Sequence, residues 1–97
     1  MTRFAFSSAA VVDLAEIWDY TVERWGPDQA DAYVRDIQRA IERAAANPRV
    51  GKPCDEVRSG YLKLATGSHV IFYRNETHRA IDVVRILHQR MDIDRHL

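Results

Sequence analysis

Two long stretches with a helical apolar period, separated by Gly26-Pro27, constrain the fold of this chain more than any other feature. The second stretch covers residues 27–46 and ends at Asn47-Pro48, because the residue before a proline is disfavoured in helical conformation. Glycine allows the chain to leave one helix, and proline suits the first turn of the next. So short a connection predicts an antiparallel helical hairpin. The apolar residues that define the first helix, at three- and four-residue steps, are Val11, Leu14, Trp18, Val22 and Trp25, and Ile17 and Thr21 widen this stripe.

The apolar period changes to two in the second half of the chain, which predicts β-strands. Residues 48–60 contain two prolines and two glycines without a period, and we interpret them as a surface loop. A short opening strand is predicted before a serine that caps the first helix, either Ser7 or Ser8. The predicted strands cover residues 3–6, 61–66, 69–74 and 80–88.

The last predicted strand is apolar on both faces, with Ile81, Val83 and Leu87 on one side and Val84 and Ile86 on the other. Such a strand lies inside a sheet, or a partner covers its outer face. The predicted fold class is therefore α+β. We expect one domain over residues 1–97, with the helical hairpin packed on one face of a small antiparallel sheet.

Charge is balanced over the chain but unevenly distributed along it. Residues 1–47 carry 5 basic and 8 acidic side chains (−3), whereas residues 48–97 carry 9 basic and 6 acidic ones (+3). This polarity favours specific protein partners over bulk nucleic-acid binding, which requires a strongly basic domain. The chain has neither an apolar run of the roughly 20 residues that span a membrane nor a secretion signal, so a cytoplasmic protein is expected.

The residues that usually hold metals or perform nucleophilic catalysis form no recognisable motif. The single Cys54 excludes an internal disulfide, and its neighbours Asp55 and Glu56 are expected to raise the pKa of its thiol. We predict no metal and no cofactor. The four histidines lack metal-ligand spacing; they are His69, His78, His88 and His96.

Acid–base cleavage of RNA is a rival hypothesis, since it needs cations together with groups that move protons. Such residues lie on or beside the predicted sheet: Arg58, Tyr61, His69, Arg74, Arg85, His88 and Arg90. Arg85 interrupts an apolar run, so it is either paired with an acid such as Asp82 or exposed for function. Of the two tryptophans, we assign Trp18 to the core and Trp25 to the hairpin turn.

Several strings in the sequence together resemble the ParE toxins of bacterial toxin–antitoxin pairs, within the RelE/ParE superfamily. The resemblance extends over essentially the whole chain, and the block I-L-H-x-R-M-D from Ile86 to Asp92 is its most specific part. The strings are WGPDQADAY after Arg24, RSGY at 58–61, GSHVIFYR at 67–74 and VRILHQRMD at 84–92.

The resemblance implies a toxin that inhibits DNA gyrase and replication without being an enzyme, and that a co-expressed ParD-type antitoxin neutralises. The antitoxin, rather than the toxin, is then expected to contact operator DNA. Our gyrase-facing candidates lie on the last strand and the tail: Arg85, His88, Arg90, Met91 and Asp92. For the antitoxin we predict an apolar, arginine-flanked groove along the sheet and the helical hairpin, with these candidates: Tyr61, Phe72, Arg74 and Ile86.

Two alternatives remain open within the same resemblance. One is a RelE-like, ribosome-dependent mRNA endoribonuclease. The resemblance weighs against it, because RNA-cleaving relatives carry a basic residue where this chain has Val70. The other is a non-toxic family member that acts with its antitoxin in autoregulation.

Overall fold

The computed structural model describes residues 4–76 and 80–91. Two helices follow a first strand and precede the rest of a five-stranded sheet, and a short 3-10 helix, Pro48–Val50, follows the second helix. The elements in chain order are β1 (Phe4–Phe6), α1 (Ser8–Trp25), α2 (Pro27–Ala46), β2 (Lys52–Pro53), β3 (Tyr61–Thr66), β4 (His69–Asn75) and β5 (Ile81–His88).

The order of strands in the sheet is β1-β5-β4-β3-β2, so β5 is an interior strand, as its two apolar faces predicted. The α+β class and the helical hairpin are confirmed. The sheet is mixed rather than purely antiparallel, because β1 pairs with β5 in parallel over Ile81 to Val83. Parallel neighbours need a long crossover connection, and here the two helices and three strands between β1 and β5 provide it.

Local signals at the two ends of the first helix act as predicted. Ser7 caps α1, since its side-chain oxygen accepts a hydrogen bond from the backbone N–H of Ala10 at 3.0 Å. Gly26 has a φ of +91°, which a residue with a side chain rarely adopts, and Pro27 is the first residue of α2. No helix among residues 4–76 and 80–91 has the length and apolar character needed to cross a membrane.

The interpretation of residues 48–60 as a surface loop is wrong in part. The segment includes the edge strand β2, and both Gly51 and Cys54 are buried. Tyr73 holds it in place: its hydroxyl donates to the carbonyl of Pro48 at 2.6 Å and accepts from the N–H of Gly51 at 2.9 Å. Because the tyrosine that provides these hydrogen bonds is more than twenty residues away in the sequence, the local sequence pattern does not predict them.

Hydrophobic clusters form on both faces of the sheet. The larger lies under the helices and includes Ile37, Ile41 and Ile71, whereas Cys54, Phe72 and Leu87 form the smaller on the opposite face. The predicted alternation along β5 is wrong beyond Val83. A bulge at Val84 shifts the register, so Ile86 joins the helix-side cluster and Leu87 faces the other way.

The buried face of α1 is rotated from the centre of the predicted stripe towards Ile17 and Thr21, the two residues predicted to widen it. The buried residues of α1 are Ala10, Asp13, Ile17 and Thr21. Trp18 is 37% exposed and Trp25 is 68% exposed, so the assignments of Trp18 to the core and Trp25 to the hairpin turn are wrong. The buried face of α1 therefore combines Ile17 with small and polar side chains, and both tryptophans lie outside it.

Candidate functional site

A buried ion pair joins α1 to the last strand. Asp13 is 7% exposed, and its carboxylate accepts hydrogen bonds from Arg85 Nε at 2.7 Å and from Arg85 Nη2 at 2.8 Å. The hydrogen bond with Asp13 is the main reason why the pKa of the Arg85 guanidinium is raised. The expected partner Asp82 instead lies 3.6 Å from Arg74. The hypothesis that Arg85 is paired with an acid is thus confirmed, but the partner is Asp13 and not Asp82.

The same carboxylate completes the edge of the sheet. Strand β1 pairs with β5 only as far as Val83, so the next part of that edge has no strand beside it. The N–H of Ile86 donates to Asp13 Oδ2 at 3.0 Å, and the hydroxyl of Ser7 donates to the carbonyl of Val84 at 2.6 Å. The beginning of α1 therefore takes the place of a neighbouring strand, and it satisfies backbone groups that would be costly to bury alone.

A cleft of about 390 Å³ lies between α1 and the end of β5. Its wall is mostly apolar, and a few polar groups converge on it, which is the usual character of a binding site. Its lining residues are Asp13, Glu16, Ile17, Tyr20, His69, Ile86, His88 and Met91.

Two histidines stand side by side in this cleft, with ring centroids 5.3 Å apart in an edge-to-face arrangement. A 2.6 Å hydrogen bond joins His69 Nδ1 to the hydroxyl of Tyr33, which also accepts from the N–H of Ser68 at 3.0 Å. Burial lowers the pKa of His69, nearby His88 lowers it further, and Asp13 opposes the shift. The cleft therefore favours the neutral form of His69.

Acidification is expected to destabilise the protein through His69. The unfolded chain binds this proton more readily than the folded one, so the free energy of unfolding falls as pH drops below the ordinary His pKa of 6.5. Urea unfolding at about pH 7.5 and pH 5.5 measures the loss. The variant His69→Asn keeps a hydrogen-bonding side chain for Tyr33 and should lose less stability on acidification. An equal loss in both proteins would show that His69 does not contribute.

The structure brings His88, Arg90 and Met91 together at the end of β5, and it places Arg85 within the strand. His88 lines the cleft, and it organises the turn that follows: its Nδ1 accepts from the N–H of Arg90 at 3.1 Å and its carbonyl accepts from the N–H of Met91 at 2.9 Å. Arg90 is exposed and Met91 is 44% exposed. Arg85 lies three residues before His88 and binds Asp13. Asp92 lies outside the described residues.

The antitoxin-binding candidates do not form one groove. Tyr61 and Arg74 are direct cross-strand partners and line a cleft of about 260 Å³ on the sheet face away from the helices. Phe72 is 1% exposed beneath the 54–60 segment, and Ile86 is 2% exposed on the helix side. The expectation that Phe72 is an accessible anchor is wrong, because the segment assigned to a surface loop covers it.

Burial decides the chemistry of Cys54, which is fully buried. The pKa of its thiol is raised, mainly by this burial and secondarily by Glu56, in the direction that the sequence predicted. Within the part of the chain that the structure describes, no three His, Cys, Asp or Glu side chains are grouped as metal ligands would be. His78 and His96 lie outside that part.

Sequence reasoning missed Asp13 and Tyr33, the two residues that hold the cleft together. Asp13 had a detectable signal, since it shares the helical spacing of Ala10, Ile17 and Thr21. A carboxylate within a stripe of small and apolar residues predicts a buried partner of opposite charge. Tyr33 gave no such signal, because its bond to His69 joins positions 36 residues apart.

The architecture, a helical hairpin on a mixed sheet whose last strand ends beside a cleft, has a close match among solved structures. A chain of the "Chromosomal ParDE TA system from P. aeruginosa" superimposes with a TM-score of 0.75, at 22% identity, over 91% of this chain and 96% of that one. At this identity the match establishes the fold. The molecule thus shares the α+β fold of that chain.

Sequence comparisons identify the family. The model for "ParE toxin of type II toxin-antitoxin system, parDE" matches residues 4–93. Toxin ParE1 of Mycobacterium tuberculosis is 59% identical over 96 residues, covering 99% of this chain and 98% of that protein. Toxin ParE1 of Caulobacter vibrioides is 41% identical over 97 residues, covering 100% and 99%. The chain belongs to the ParE toxin family, as the resemblance indicated.

Proposed function

We propose that this ParE-family toxin acts in the cytoplasm as a protein inhibitor of DNA gyrase, and that a ParD-type antitoxin holds it inactive. The proposal rests on the geometry at the end of β5. There the most family-like sequence block forms a hydrogen-bonded turn that exposes Arg90 and Met91 beside the 390 Å³ cleft. Arginine and methionine are both enriched at protein interfaces.

The candidate gyrase-facing residues have two different roles in this proposal. Arg90 and Met91 present surface to the enzyme, and His88 holds their turn in shape. Arg85 has 21% of its side chain exposed and is tied to Asp13, so we assign it to positioning the strand. Asp92 is a candidate on sequence grounds alone.

The positions of Arg74 and Arg85 support inhibition over RNA cleavage. A ribonuclease needs cations close to its proton-transferring groups, to neutralise charge at the phosphate. Arg85 is bound to Asp13, and Arg74 lies near Asp82 on the sheet face away from His88. Arg74 and Arg85 therefore do not converge with His88 as the endoribonuclease alternative requires, whereas Arg90 lies in the turn beside it.

Growth on induced expression tests the toxin proposal in cells. We expect expression of the chain to arrest growth and co-expression of its antitoxin to restore it. Normal growth in cells that accumulate the folded protein would contradict the proposal and leave the non-toxic, autoregulatory member. Arrest together with degraded messenger RNA would favour the endoribonuclease.

For the antitoxin we propose the outer sheet face at Tyr61 and Arg74. A disordered segment that folds on binding can cover such a shallow surface, and aromatic and arginine side chains dominate interface energies. The two residues are adjacent across β3 and β4, and 52% of the Arg74 side chain is exposed. Phe72 then supports this surface from within.

The double variant Tyr61→Ala, Arg74→Ala is expected to weaken antitoxin binding by about 2 kcal/mol or more, roughly thirtyfold in Kd. Isothermal titration calorimetry with the purified antitoxin measures this loss of affinity. The matched control is Arg39→Ala on α2, where 71% of the side chain is exposed. Equal affinities for the double variant and the control would remove this surface from the proposal.

A further inference from the structure

The hydroxyl of Tyr33 connects α2 to the turn between β3 and β4. It accepts a hydrogen bond from the N–H of Ser68 at 3.0 Å and lies 2.6 Å from Nδ1 of His69. Because the phenol oxygen already accepts from Ser68, its single proton is available to His69, and this network assigns Nδ1 of neutral His69 as the acceptor. One side chain of a helix therefore binds two consecutive residues of the turn.

The turn is shaped to receive this side chain. Gly67 has a φ of +57°, and a Cβ atom at this position would lie 2.8 Å from both Cε1 and the hydroxyl oxygen of Tyr33. Carbon atoms in a packed protein do not approach that closely, so a larger residue would displace the phenol ring. Glycine thus allows the ring of Tyr33 to lie directly against the turn that its hydroxyl binds.

The same turn holds the chain that follows β5. The carbonyl of Ser68 accepts a hydrogen bond from the N–H of Gln89 at 2.9 Å. The ring of His69 packs edge-to-face on the ring of His88, whose Nδ1 accepts from the N–H of Arg90 at 3.1 Å. Two consecutive amides after β5 are therefore tied, one directly and one through His88, to the two residues that α2 binds.

We propose that Tyr33 is a positioning residue for gyrase inhibition. Its hydroxyl fixes the turn between β3 and β4, and that turn holds Arg90 and Met91 in the conformation that meets the enzyme. A surface that is ordered before binding loses less conformational entropy on binding than a mobile one. Loss of the hydroxyl therefore weakens inhibition although every side chain that faces gyrase is still present. This inference rests on the proposed gyrase inhibition and deepens it.

Tyr33→Phe tests the proposal, because it removes the hydroxyl and keeps the ring that packs against Gly67. We expect hydrogen exchange at the amides of Gln89 and Arg90, measured by NMR on the free protein, to accelerate about fivefold or more, the effect of losing one ordinary hydrogen bond. The protein concentration that half-inhibits gyrase supercoiling should rise by a similar factor of about five.

The matched control is Tyr73→Phe, which also removes a phenol hydroxyl with two backbone partners. Those partners are the carbonyl of Pro48 and the N–H of Gly51, so this hydroxyl holds the segment before β2 and not the turn between β3 and β4. The control should lower the urea midpoint of unfolding but leave the exchange of Gln89 and Arg90 and the inhibition unchanged. A general loss of stability would instead affect both variants alike.

A pair of glycine variants approaches the same contact from the other side. Gly67→Ala places a Cβ atom against Tyr33 and should reproduce the effects of Tyr33→Phe. Gly60→Ala also puts a side chain at positive φ, here +82°, but nothing lies within 4 Å of the added atom. It should leave exchange after β5 and inhibition as they are.

Unchanged exchange at Gln89 and Arg90 in Tyr33→Phe would overturn the proposal. Faster exchange with unchanged inhibition would overturn it as well, and so would equal loss of inhibition in the tyrosine variant and its control. If the unmodified protein left supercoiling normal, the proposed gyrase inhibition would fall together with this role of Tyr33. The exchange rates are measured without gyrase, so the two failures are distinguishable.

Discussion

Replacement of Asp13 by alanine is expected to lower the free energy of unfolding by about 3 kcal/mol, near the lower end for loss of one partner of a buried pair. The substitution leaves the Arg85 guanidinium without its carboxylate and the N–H of Ile86 without its acceptor. The lower end applies because 21% of the Arg85 side chain is exposed, so water can partly compensate. Urea unfolding measures the change as a lower midpoint with an unchanged slope.

The matched control is Glu16→Ala, on the same helix but exposed. It should alter the free energy of unfolding by no more than about 0.5 kcal/mol. If Asp13→Ala behaved like this control, the ion pair would not hold α1 against β5. Asp13→Asn should fall between the two, because an amide can still accept the Ile86 N–H but cannot balance the charge of Arg85.

Removal of residues 89–97 is expected to abolish gyrase inhibition while leaving a folded domain. The truncated chain keeps every strand pairing of the sheet, the Asp13–Arg85 pair and both hydrophobic clusters. Among the described residues it loses the exposed turn and the bond from the N–H of Gln89 to the carbonyl of Ser68. Circular dichroism and antitoxin binding check the fold, and plasmid supercoiling by gyrase checks the inhibition.

A single substitution tests the same surface with less disturbance of the chain than the truncation. Arg90→Ala should reduce inhibition substantially, whereas Arg35→Ala, an equally simple loss of an exposed arginine on α2, should not. Full inhibition by the truncated chain would exclude the end of β5 as the gyrase-facing surface. It would leave the assignment to the ParE family untouched.

Structural features that depend on residues close together in the sequence could be predicted from it. The hairpin follows from Gly26-Pro27, the cap from Ser7, and the main strands from a period of two that short turns interrupt. The interior place of β5 follows from its two apolar faces. Each of these depends on contacts within a few positions or on simple alternation, which a sequence displays directly.

Features that depend on contacts between residues far apart in the sequence could not be predicted. Asp13 and Arg85 are 72 residues apart, and the nearer Asp82 was the natural but wrong partner. The bulge at Val84 reverses the faces of Ile86 and Leu87, and only pairing with β4 reveals it. In the same way, the cover over Phe72 depends on where the 54–60 segment lies in space.

The two faces of α1 show why a helical period alone misleads. The buried residues of α1 and the set that contains both tryptophans recur at the same helical spacing, and hydrophobicity favours the set with the tryptophans. The fold buries the other set because Ala10 allows close approach and Asp13 satisfies the open edge of β5.

The most direct test of the central claim is supercoiling of relaxed plasmid by DNA gyrase in the presence of the purified protein. A parallel incubation of the protein with ribosomes and messenger RNA accompanies it. We predict inhibited supercoiling, or trapped cleaved DNA, together with intact RNA, and relief of the inhibition by the antitoxin. Normal supercoiling with cleaved RNA would contradict the account and assign His88 to a nuclease site.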